Sequence, residues 1–146
     1  MDHIRIIQVV REKLGETDLV VSDLTSPEIL AFVKTSQEIL ELRKLAAVES
    51  LVVVPDQIST SYGITPEPTT EAGYYLALHT SLSILRSEYY SRVKTGTLGV
   101  AWRSGLEEES TISAEKAWRV AIAALEDEFE ELFIIRHSTT TGFRSQ

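Results

Sequence analysis

The stretch "YYLALHTSLSILRSEYYSRVKTG", Tyr74 to Gly96, decides the fold. Tyr75, Leu78, Leu82, Leu85 and Tyr89 recur at alternating spacings of three and four, which is the period of a helix with one packing seam. Thr69 or Thr70 stands where an N-cap belongs, and Gly96 stops the helix. A seam of this kind needs other helices to pack against.

The flanking sequence supplies them. Asp2 to Leu14 reads as a first helix with Ile7, Val10 and Leu14 on one face, closed by a left-handed Gly15. Ser26-Pro27-Glu28 reads as a helix start: Ser as N-cap, Pro at the first position, an acid in the first turn. Ile29, Phe32, Val33, Ser36 and Leu40 then share a face, and the pattern carries on through Leu45 and Val48. A last helix is predicted from Ala114 to Arg136, capped by Ser113 or Thr111, with Trp118, Ala121, Leu125, Phe129 and Leu132 on its buried face.

Two stretches break this rhythm. "LVVVP", Leu51 to Pro55, is β-branched and reads as an extended segment or the tail of the preceding helix, and "STSYGITPEPTT" after it reads as a loop. The second break is "TGTLGVAWRSGLEEESTIS", Thr95 to Ser113. Leu98, Val100 and Trp102 alternate there and would share one side of a strand. A lone hairpin is barely stable in water, so its apolar side must lie on the chain's own helices or on another copy. The fold class that follows is mostly α: a small bundle of about four helices with one short β hairpin or strand before the last helix. Residues 1–136 form one helical domain, and 137–146 form a C-terminal arm.

Composition bounds the function. The chain has 146 residues, enough for one core, and 14 basic against 22 acidic residues give a net charge of −8. Such a surface argues against a groove that grips phosphates, though not against one past which DNA slides. There is no Cys, so disulfides and thiolate metal sites are excluded. "MDHIRIIQVVREKLG" reads as neither a signal peptide nor a membrane span, which points to the cytosol.

No catalytic or metal constellation emerges. His3, His79 and His137 share no ligand spacing, and His79 reads as a structural histidine inside a helix. Glu126 to Glu131 ("EDEFEE") lacks the Glu-x-x-His pattern of carboxylate bundles and reads as a solvated face; Glu107-Glu108-Glu109 lacks the glycine of a calcium loop. Ser113-x-x-Lys116 matches a fragment of an acyl-transfer signature. However, Lys94-Thr95-Gly96 precedes it and the S-D-N element is missing. The expectation is no enzyme, no cofactor and no metal.

The order of elements, with "ITPEPTTEA" before the long helix and "LGVAWRSGLEEESTIS" before the last, resembles the head-to-tail connector (adaptor) proteins of tailed bacteriophages. Gly99, Val100, Trp102, Gly105, Glu107 to Glu109 and Ser110 to Ser113 carry the resemblance. It implies a structural virion protein of the neck, assembled in the host cytoplasm. Copies form a ring, commonly dodecameric, that joins the portal protein to stopper or tail-terminator proteins. DNA is a partner only by passage through the channel, and no membrane is involved. Leu98, Val100 and Trp102 become intersubunit contacts. Glu107, Glu108, Glu109, Glu126, Asp127, Glu130 and Glu131 become candidates to face the lumen. The arm cannot bury enough surface to order itself alone. Arg136, Phe143 and Arg144 would dock it on the portal or another partner, with strand addition to an exposed edge as the mode. Alternatives are a tail terminator or stopper, and a small cytosolic helical regulator that binds one protein.

Overall fold

The computed structural model describes residues 1–17, 19, 21–97 and 107–144, and the side chains of the last helix from Ala114 to Phe133. The elements are α1 (His3–Gly15), α2 (Ser26–Leu42), a 3-10 turn (Ala46–Val48), β1 (Val52–Val54), β2 (Gly63–Thr65), α3 (Thr70–Thr95) and α4 (Glu107–Arg144). Among the described residues the architecture is the expected one, mostly α with four helices and a short two-stranded antiparallel sheet before the last helix. That sheet is built from β1 and β2, with Val53 opposite Ile64, and so lies between α2 and α3. The alternating stretch around Trp102 lies outside the described residues.

α3 is the central helix. Tyr75, Leu76, Leu82, Ile84 and Leu85 are all buried in it, and α1, α2 and α4 each pack against it. α4 runs antiparallel to α3. Tyr89 lies beside Trp118, whereas the Tyr75 hydroxyl, fourteen residues earlier, donates to the Leu132 carbonyl at 3.2 Å. The predicted seam from Tyr75 to Tyr89 is therefore the contact surface. At the far end Gly96 adopts φ 71°, the left-handed conformation that closes the helix, and Thr97 N–H reaches back to Arg92 at 2.9 Å.

The elements differ from the sequence reading in five places, each for a local reason. α2 is capped by Thr25 and not Ser26, because Glu28 stands three residues after Thr25 and completes a reciprocal capping box. α1 includes Gly15 without a left-handed turn, since the Thr17 hydroxyl and N–H both satisfy the Leu14 carbonyl. α2 ends at Leu42 and does not continue through Leu45 and Val48. Lys44 takes φ 62°, Leu45 N–H bonds Leu40 at 3.1 Å and Lys44 N–H bonds Glu41 at 2.9 Å. This is the two-bond C-terminal closure that glycine normally makes, with buried Leu45 and Leu40 as its apolar pair. The buried Gln37 amide then holds the Val48 carbonyl at 2.9 Å and fixes the 3-10 turn beneath β1. Part of the "STSYGITPEPTT" loop is β2, where Gly63 (φ 122°) passes so close to His3 that a Cβ would lie 2.8 Å from its Nδ1.

The fifth difference is the largest. α4 begins at Glu107 and ends at Arg144, 38 residues in all, where Ala114 to Arg136 was expected. Thr111 and Ser113 therefore sit inside the helix and do not cap it. Residues 137–144 extend the same helix without a break, so strand addition is not their conformation. Lengthening an existing helix needs no new nucleus and adds a backbone hydrogen bond per residue.

Candidate interaction surface

α4 presents the acidic run to the solvent edges of the bundle. Positions 126 and 130 are one helical turn apart, and both face cations of the α2–α3 side. Glu126 pairs with Arg86 at 2.6 Å, and Glu130 takes Arg43 through two bonds of 3.1 and 3.4 Å. Position 128 lies on the opposite flank and reaches α1, where Lys13 Nζ is 2.8 Å away. That bond, ahead of other effects, raises the Lys13 pKa above its ordinary value. Asp127 and Glu131 are exposed, and neither forms an ion pair among the described residues. The run is thus a solvated face whose alternate members tie α4 to the other helices.

Arg43 has a second contact. Its guanidinium lies 4.2 Å from the Phe133 ring centroid and 5.5 Å from that of Phe129. Phe129 is buried and meets Tyr75 edge-on at 6.1 Å. Charge pairing and aromatic packing therefore fall on the same two turns of α4. At an exposed site the ion pairs alone are worth about 0.2–1 kcal/mol each. The stacking adds a preference for Arg over Lys.

His79 lies beneath this contact. It is buried, 5.4 Å edge-on from Phe129, with Nδ1 2.8 Å from the Ser36 hydroxyl. Burial, helped by Arg43 and Arg86, lowers its pKa from 6.5 to about 4. His79 has the structural role read from the sequence. Trp118 is also buried, and its Nε1 finds no acceptor among the described residues.

Between α3 and α4 runs a groove lined by Tyr74, Leu78 and Leu132 and by three carboxylates, Glu71, Glu128 and Glu131. Tyr74 is 40% exposed and Leu132 36%, so part of an apolar floor meets solvent between acids. Sequence reasoning placed Leu132 on the buried face and passed over Tyr74. Leu132 sits at the edge of that face, which residue spacing alone does not reveal.

The other predicted site residues divide clearly. Glu126, Asp127, Glu130 and Glu131 share the outer turns of α4, with two of the four in ion pairs. Glu107 to Glu109, Arg136, Phe143 and Arg144 lie on the α4 backbone, with side chains outside the described set, as is that of Ser113. Leu98, Val100 and Trp102 lie outside the described residues. Among the described residues no three metal-capable side chains gather, and no helix is long and apolar enough to cross a membrane. Arg43, Arg86 and Lys13 were missed as partners of the acidic run. Their signal was the alternate spacing at 126, 128 and 130, which needs the packing of α4 to be read. Comparison with family models, curated proteins and solved structures gave no match.

Proposed function

We propose that this chain is a non-enzymatic structural subunit of the neck of a tailed bacteriophage. In this reading copies form a ring, commonly dodecameric, between the portal and the stopper or tail-terminator proteins, and the ring surrounds the DNA exit channel. The observation that supports the reading is the shape of α4. Its 38 residues span about 57 Å, against about 39 Å for the 26 residues of α3. A helix longer than the one it packs against offers surface beyond it, which suits an adaptor better than a self-contained regulator.

The charge sign fits as well. A net charge of −8 repels phosphate, so a duplex in the channel would slide and not stick. Asp127 and Glu107 to Glu109 are the acids best suited to the lumen, because Glu126 and Glu130 are committed to Arg86 and Arg43.

The test is to mix the purified chain with portal rings and to follow the product by native mass spectrometry and electron microscopy. A cyclic layer of this protein seated on the portal is the expected result. A stable dimer that ignores the portal would overturn the reading in favour of a small regulator.

A further inference from the structure

A pocket of about 430 Å³ opens where α1, the start of α2 and the β1–β2 connection meet. Its size is that of a small-molecule site, and such sites combine an apolar surface with a few placed polar groups. Ile4, Ile7, Gln8 and Arg11 are spaced three and four apart and form the α1 side. Ile7 is buried and Ile4 is 65% exposed, so the apolar strip reaches solvent. Gln57 and Tyr62 line the pocket from the β1–β2 connection and Ser26 from α2.

The two ends of the pocket differ. At one end the His3 imidazole meets the Tyr62 ring edge-on, with 5.2 Å between centroids. It also lies against Gly63, where a Cβ would stand 2.8 Å from its Nδ1, so this aromatic wall is fixed in place. Arg11 stands eight residues further along α1, about 12 Å away. Its Nη2 donates to the Leu24 carbonyl at 3.1 Å and to the Ser26 hydroxyl at 3.3 Å. Both acceptors are neutral, and three of the five guanidinium donors remain.

Arg11 is exceptional in its charge environment. Arg5, Arg43, Arg86, Arg92 and Arg119 are each paired with a glutamate. Among the described arginine side chains, Arg11 alone forms no ion pair. The chain has 22 acids against 14 bases, yet no acid lines this pocket among the described residues. A guanidinium oriented by neutral oxygens in an acid-free pocket lacks one thing, an anion, and loses little freedom on taking one.

We propose that this pocket binds a small organic anion. Its head group, a carboxylate or a phosphate monoester, lies on Arg11. Its apolar or aromatic body runs along Ile4 and Ile7 towards the His3–Tyr62 pair. The site involves neither α4 nor the neck reading, and its failure would leave that reading untouched.

A nuclear magnetic resonance titration of the isotope-labelled full chain at low ionic strength tests it. The probes are hydrocinnamate and phenyl phosphate. At least one should saturate with a dissociation constant on the order of 1 mM and shift the amides of residues 3–11 and 57–63. The tighter of the two identifies the head group. Neutral hydrocinnamide and inorganic phosphate should each bind at least about tenfold more weakly, since each lacks half of the match. Arg11→Gln should weaken the better probe about tenfold, and Arg119→Gln should leave it unchanged. Gln8→Glu sits on an exposed helical position and touches no bond of the fold. It gives Arg11 an internal carboxylate, and it should abolish saturation even if Arg11→Gln proves unstable. The proposal is overturned if neither probe saturates, or if the shifts survive Gln8→Glu. It is equally overturned if inorganic phosphate binds as tightly as the probes, which would reduce the site to unspecific charge attraction.

Discussion

The Nδ1 of His79 and the Oγ of Ser36 lie 2.8 Å apart, and Thr80 donates to the same hydroxyl oxygen at 3.2 Å. Ser36 Oγ accepts from Thr80, and its bond with His79 runs from Ser36 to Nδ1 in the tautomer that carries the ring proton on Nε2, or from Nδ1–H to Ser36 in the other. Burial first, then Arg43 and Arg86, hold its pKa at about 4.

Stability should therefore fall on acidification between pH 6.5 and about 4. In that window the unfolded chain binds a proton at His79 that the folded chain refuses, so the folded state loses ground. The loss is on the order of 2 kcal/mol once partial solvent screening is allowed for. Urea midpoints measured at pH 7 and pH 4.5 for wild type and His79→Gln check it. The variant should show the smaller pH dependence; equal slopes would mean that His79 titrates normally.

Lys44→Gly should stabilise the protein. Lys44 is held at φ 62°, where a side chain costs about 1–2 kcal/mol, and glycine adopts it freely at some cost in unfolded-state entropy. The net gain expected is roughly 0.5–1 kcal/mol. Thermal unfolding should move upward, and a lower melting temperature would show that the Lys44 side chain contributes more than its backbone costs.

Ser113→Ala should leave folding intact or strengthen it slightly. As a helix cap, Ser113 would lose about 1 kcal/mol on this change. Inside α4, Ala is the better helix former by up to about 0.5 kcal/mol. Melting curves decide between the two. An activated-serine probe should leave Ser113 unlabelled, and labelling would revive the acyl-transfer signature.

Trp102→Ala should impair assembly more than it lowers the melting temperature of the isolated chain. The premise is the alternation of Leu98, Val100 and Trp102 in a segment that needs a surface to lie on. Comparing ring yield on the portal with thermal stability separates the cases. A loss of about 3–5 kcal/mol in the monomer would instead place Trp102 in the protein's own core.

Sequence alone determined the helical class, the α3 seam and the main punctuation. Apolar spacing along Tyr75 to Tyr89 reports directly on a helix that must be buried along one face. Gly96 has a conformational freedom that other residues lack. The β-branched run at Val52 to Val54 was equally legible as extended chain.

Tertiary structure decided the rest. The left-handed Lys44 carries no glycine signal, because the burial of Leu40 and Leu45 and two backbone bonds impose the conformation from outside the residue. Thr25 outcompetes Ser26 as a cap only once Glu28 folds back to it. The acidic run reads as uniform charge until α4 is laid on the bundle, when its alternate residues meet Lys13, Arg43 and Arg86 on different helices. Periodicity is a property of neighbouring residues and is written in the chain. Ion pairs and grooves belong to residues dozens of positions apart, and only packing brings those together.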